Sequence, residues 1–96
     1  MAVRMTLEFE ATADQYDAVN EKIGADPPDG LIAHSAADKG GTMKVVDIWE
    51  SAEKFGAFAE STLGPAVAEV MGGDGPGPQP QIEELHNLEV FQLVEP

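Results

Sequence analysis

The chain has no cysteine and, among its 96 residues, only five basic side chains against 18 acidic ones. Without cysteine there is no disulfide, no thiolate metal site and no thiol nucleophile, so stability must come from packing and assembly. The formal charge of −13 repels phosphate backbones and anionic headgroups, which makes nucleic acid and membrane surfaces poor partners. No long apolar run is present either: the opening MAVRMTLEFE alternates apolar and polar residues, so neither a signal peptide nor a membrane span is expected, and the expected location is cytoplasmic. The glycines between Gly72 and Gly77 are interrupted by prolines and followed by no lysine, unlike a phosphate-cradling loop.

What remains is core material. Hydrophobic residues make up 43% of the chain, too many for a disordered segment. The length suits one domain over residues 1–96, and a chain this short buries only about 60 to 65% of its unfolded surface. A second copy is an economical way to complete such a core.

Val3, Met5, Leu7 and Phe9 alternate with polar neighbours and predict a strand with one apolar face. Thr12 and Gln15 form a capping-box pattern for a helix over 13–23, with Tyr16, Val19 and Ile23 on one side and Gly24 at its end. ADPPDG, from Ala25 to Gly30, is turn chemistry. LIAHSAA and TMKVVDIWE read as two strands of a hairpin joined by the four residues Asp38 to Gly41. Ser51 caps the next helix, whose inward face holds Phe55, Phe58 and Ala59; Leu63-Gly64-Pro65 predicts a break, with a second helical piece over 66–71 ended by Gly72 and Gly73. Residues 72–80 read as an irregular connection, and QIEELHNLEVFQLVE as one long last strand.

The order strand, helix, strand, strand, helix, strand predicts an α+β fold: a ferredoxin-like βαββαβ arrangement with both helices on one face of a four-stranded antiparallel sheet. The other face, expected to carry Ile, Leu, Val and Trp, must then close against something, which predicts a two-fold homodimer with a chamber between facing sheets.

DGLIAHSAADKGGTMKVVDIWESAEKFGAFAES resembles the core of the dimeric α+β barrel superfamily, which includes the antibiotic biosynthesis monooxygenase-like proteins; LGPAVAEV and the later PQIEELHN are also similar to small members of that group. The resemblance implies a homodimer that binds a small flat molecule between sheet and helices. Its enzymatic members include cofactor-free oxygenases of polycyclic phenols and haem-degrading oxygenases. The haem degraders keep an iron-ligating His about ten residues after a Trp; the corresponding position after Trp49 is Ala59, with Glu60 and Ser61 beside it.

Within the hairpin, pairing Ala37 with Thr42 sets His34 opposite Val45 and Ile32 opposite Asp47. Ile32, His34 and Ala36 then share a face with Met43, Val45, Asp47 and Trp49, and His34 and Asp47 become diagonal neighbours. A carboxylate against an imidazole fixes its tautomer and raises its basicity, which suits His34 as a base and Asp47 as its orienting partner in cofactor-independent oxidation of a phenol. The same two side chains could instead simply satisfy each other inside an interface. Trp49, Tyr16, Met43 and His86 are the candidate ligand-binding residues, although packing is the more usual role for both Trp49 and Tyr16. His34 and His86 have no third ligand at a recognisable spacing, so no metal is expected, and no cofactor is called for. The competing expectation is a non-catalytic homodimeric module that binds or assembles, with a tightly filled interior; haem handling through His86 is a third.

Overall fold

The computed structural model describes residues 1–72 and 79–91. Its elements are β1 (Val3–Glu10), α1 (Ala13–Ile23), β2 (Leu31–Asp38), β3 (Thr42–Trp49), α2 (Ala52–Phe58), α3 (Gly64–Met71) and β4 (Gln81–Glu84). The strands form one antiparallel sheet in the order β2-β3-β1-β4, the ferredoxin-like arrangement that the element order predicts.

The caps fall where the sequence puts them. Thr12 Oγ1 accepts from Gln15 N at 3.1 Å while Gln15 Oε1 accepts from Thr12 N at 2.9 Å, closing the box around the start of α1. Ser51 accepts from Lys54 N at the start of α2. On the covered face of the sheet, Val3, Met5, Val45, Trp49 and Phe55 form the buried cluster. Burying each large member stabilises the fold by roughly 1.5 to 3 kcal/mol. Trp49 is its centre, 0% exposed and edge-on to Phe55 with ring centroids 5.5 Å apart.

Four features differ from expectation. The hairpin turns more tightly: Lys39 N donates to Thr42 O, Gly40 and Gly41 make the turn with φ of 74° and 99°, and Asp38 pairs with Met43. Two consecutive positive φ values suit the right-handed twist of a hairpin and explain the paired glycines. The register therefore slides by two residues, which preserves the faces and brings His34 directly opposite Asp47. A bulge between Leu31 and Ala33 then leaves Ile32 out of the ladder and 44% exposed, while Leu31 pairs with Trp49 and packs on the core.

The expected break at Leu63-Gly64-Pro65 is a π-helical turn, Ala59–Leu63, through which the helix continues. Gly64 N reaches back to Ala59 O, and Ser61 Oγ donates to Ala57 O at 2.7 Å. The wider turn makes room for Pro65, whose ring would clash with the carbonyl four residues earlier in a regular helix. The last strand is short, ending at Glu84. It pairs with Val3–Thr6 of β1, and beyond Leu85 N to Ala2 O the strand β1 offers no further ladder. Residues 85–91 of the predicted strand are not in the ladder, and its last residues, 92–95, together with most of the predicted connection, 73–78, lie outside the described residues.

The fourth difference concerns the faces. Trp49, Val45 and Asp47 point to the helices, while the uncovered side of β1 and β3 carries Arg4, Thr6, Glu8, Lys44, Val46 and Ile48. The expected greasy sheet is thus a mixed surface with an apolar centre at half-buried Val46 and Ile48. The hairpin residues His34, Asp47 and Trp49 wall a space between sheet and helices, not a chamber between two sheets. Among the described residues no helix is long and apolar enough to cross a membrane.

Candidate functional site

Period-two alternation in β3 puts Val45, Asp47 and Trp49 on the covered face, and cross-strand pairing sets His34 against Asp47. Asp47 is 5% exposed, yet both oxygens are engaged: Oδ1 lies 2.5 Å from His34 Nδ1 and Oδ2 accepts from Trp49 Nε1 at 3.2 Å. These two bonds offset the cost of burying a carboxylate. On the far side of the imidazole, Tyr16 Oη on α1 lies 2.5 Å from His34 Nε2, and the two rings are nearly parallel, 7° apart. Helical spacing explains the placement, because Tyr16 shares its face with buried Val19.

The result is a line of four side chains, Tyr16, His34, Asp47 and Trp49. An ionised Asp47 can only accept, so Nδ1 of His34 carries a hydrogen; in the neutral ring Nε2 then accepts from the tyrosine hydroxyl. The hydrogen bond to Asp47 raises the His34 pKa above the ordinary 6.5; partial burial opposes this and the charge of Asp47 adds to it.

The line borders a cavity of about 1200 Å³ between sheet and helices. Its walls are mostly apolar: Leu7 and Phe9 from β1, Val19 from α1, Phe58 from α2, and Val67 and Met71 from α3. Ala59 and Leu63 of the π turn close one side. Of the predicted site residues, the structure gathers Tyr16, His34, Asp47 and Trp49 at this wall. Trp49 has no exposed surface, so its ring is held by Phe55 and Phe58. Met43 is buried outside the cavity wall, and His86 sits beyond β4, exposed and also outside it. Sequence reading missed Val67 and Met71, because the predicted break left the helical piece over 66–71 without an assigned inward face. Their four-residue spacing was the available signal. Among the described residues no group of three His, Asp or Glu is placed to hold a metal ion.

The sequence matches no family model and no curated protein. Solved structures do match. A protein of unknown function, NE2512 from Nitrosomonas europaea, superposes with a TM-score of 0.69 at 18% identity, over 95% of each chain. A putative antibiotic biosynthesis monooxygenase from Chloroflexus aurantiacus superposes at 0.65 and 16% identity, over 93% of this chain and 97% of that one. A variant of MhuD, a protein of Mycobacterium tuberculosis, with two manganese protoporphyrin IX molecules bound per active site, superposes at 0.56 and 21% identity, over 96% of this chain and 100% of that one. At these identities the likeness is one of fold: the chain has the architecture of the antibiotic biosynthesis monooxygenase-like proteins.

Proposed function

We propose that the protein is a homodimeric, cofactor-independent monooxygenase that takes a small, flat, apolar or phenolic molecule into the cavity between sheet and helices. The observation that carries this reading is the Tyr16–His34–Asp47 line at the edge of an apolar cavity of about 1200 Å³. Pockets of that scale hold small organic ligands. Among the described residues the interior is open over about 1200 Å³, which supports a ligand site over a tightly filled structural module.

The chemistry begins with a proton. A ligand hydroxyl donates to Tyr16 Oη, the tyrosine proton passes to His34 Nε2, and the imidazolium is held by the Asp47 carboxylate. One proton leaves the ligand and one arrives on His34, so the net charge of the site is unchanged. The phenolate is then electron-rich at its para carbon, where a C–O bond to dioxygen forms. Breaking the O–O bond releases a quinone and water, so that phenol plus dioxygen balances quinone plus water. Asp47 acts as the orienting group, since it touches His34 and not the ligand.

A porphyrin fits the site poorly. The position after Trp49 that would hold an iron-binding imidazole is Ala59, both nitrogens of His34 are engaged, and His86 lies outside the cavity. No step is routed through haem.

The second copy is supported by the surface. Val46 and Ile48 form an apolar centre on the uncovered sheet face, and beyond β4 the residues Val90 and Phe91 are 66% and 88% exposed. The experiment that tests the enzymatic reading is oxygen uptake with neutral polycyclic phenols as substrates. Wild-type uptake that His34→Ala abolishes is the expected result; undiminished uptake by His34→Ala removes His34 from the mechanism.

A further inference from the structure

Charge, more than size, sets what this cavity accepts. The chain has only five cationic side chains besides histidine: Arg4, Lys22, Lys39, Lys44 and Lys54. Four are paired with carboxylates, Arg4 with Glu83, Lys22 with Glu69, Lys39 with Glu8 and Lys54 with Asp29. Lys44 sits opposite Glu8 on the other face of the sheet from Val45. None of the five is among the residues that line the cavity, whereas Glu10 and Asp26 stand at its exposed rim and Asp47 lies within its wall; Glu8 also meets the rim, with its carboxylate neutralised by Lys39. The segments outside the described residues contain no Lys, Arg or His. The His34 imidazole gives no free positive charge, because Asp47 is bonded to it.

From this arrangement we infer that the cavity is selective for neutral hydroxyaromatic molecules and rejects carboxylated ones, with Tyr16 Oη as the atom that recognises the ligand hydroxyl. This rests on the reading of the cavity as a ligand site and names the class of ligand. A carboxylate entering the cavity would shed its hydration, pass the acidic rim and find no cation to replace the lost water. A neutral hydroxyl finds a built partner: Tyr16 gives its hydrogen to His34 Nε2, which leaves the lone pairs of Oη to accept from the ligand. The same reasoning disfavours porphyrins with propionate groups, although a volume of about 1200 Å³ would admit one.

Isothermal titration calorimetry with 2-naphthol, naphthalene and 2-naphthoate tests the inference without requiring turnover. For the wild type, 2-naphthol should bind roughly fivefold more tightly than naphthalene, the worth of one net hydrogen bond. 2-Naphthoate should bind more weakly than 2-naphthol by about tenfold or more. Tyr16→Phe should remove the preference for naphthol over naphthalene. Asn20→Lys, which sets a cation on the α1 side of the rim, should strengthen naphthoate binding. Equal affinity for naphthol and naphthoate in the wild type, a naphthol preference that survives Tyr16→Phe, or no binding by any of the three overturns the inference. Selective binding of naphthol without oxygen uptake would instead sink the oxidation reading and leave this one standing.

Discussion

Asp47 Oδ1 lies 2.5 Å from His34 Nδ1, straight across the β2–β3 ladder, while the other Asp47 oxygen accepts from the indole of Trp49. One buried carboxylate therefore links the polar wall of the cavity to the aromatic core. Asp47→Asn keeps the shape but offers only one acceptor oxygen to two donors. It should destabilise the fold by about 1 to 3 kcal/mol, the cost of a buried donor left unpaired, and should lower the His34 pKa toward 6.5. Urea unfolding and an NMR titration of the imidazole measure the two effects; an unchanged titration would detach Asp47 from His34.

The His34–Asp47 bond should also make stability depend on pH with a definite sign. The folded-state pKa of His34 is raised above 6.5, so the protonated ring binds its proton more tightly in the folded protein. Its contribution is fully present below 6.5 and is lost as pH rises through the raised folded value. The stability gap between wild type and His34→Gln should therefore narrow on going from mildly acidic to alkaline solution. Paired urea curves at several pH values check this, and a gap that widens with pH would reverse the assignment.

Activity should follow the opposite limb. Proton acceptance needs neutral His34, so kcat/KM for a phenol should rise with pH through the same raised value, on the alkaline side of 6.5. An acid limb that stays in place in Asp47→Asn would show that another group titrates.

Trp49→Phe tests the link to the core. The substitution leaves a cavity beside Phe55 and Phe58 and removes the donor to Asp47 Oδ2, so a loss of about 2 to 4 kcal/mol is expected. A loss within a few tenths of a kcal/mol would mean that the indole is not packed as described.

Assembly can be tested on the uncovered sheet face. Ile48→Glu places a charge at its apolar centre, and should turn a wild-type dimer into a folded monomer in sedimentation velocity. A wild-type chain that sediments as a monomer at micromolar concentration would rule out the homodimer.

The fold was legible in local signals that agree with one another: alternation in β1 and β3, the Thr12 capping box, the Ser51 cap and the glycine ends of the helices. The face shared by His34 and Asp47 was legible too, because a register slip of two residues preserves parity. The direct pairing was not, since it depends on whether Gly40 and Gly41 alone make the turn. The π turn escaped because Gly-Pro usually stops a helix, whereas here the widened turn accommodates Pro65 and the helix continues. Tyr16 was readable as an inward residue of α1. Its bond to His34 depends on the spacing between helix and sheet, which no local pattern encodes. The side of the sheet that the helices cover was equally hidden: both faces of the hairpin contain apolar residues, and parity alone does not label them.

The widened turn between α2 and α3 also acts as a gear tooth. An α-helix advances about 100° per residue, so rewinding Ala59–Leu63 as regular helix at unchanged length would rotate everything downstream by roughly that angle. Val67 and Met71 would swing off the cavity wall, and Lys22 would lose Glu69. A regularly wound turn at this place would keep the strands and hairpin yet line a differently shaped interior, so the winding of a single helical turn sets the shape of the cavity without altering Tyr16, His34 or Asp47.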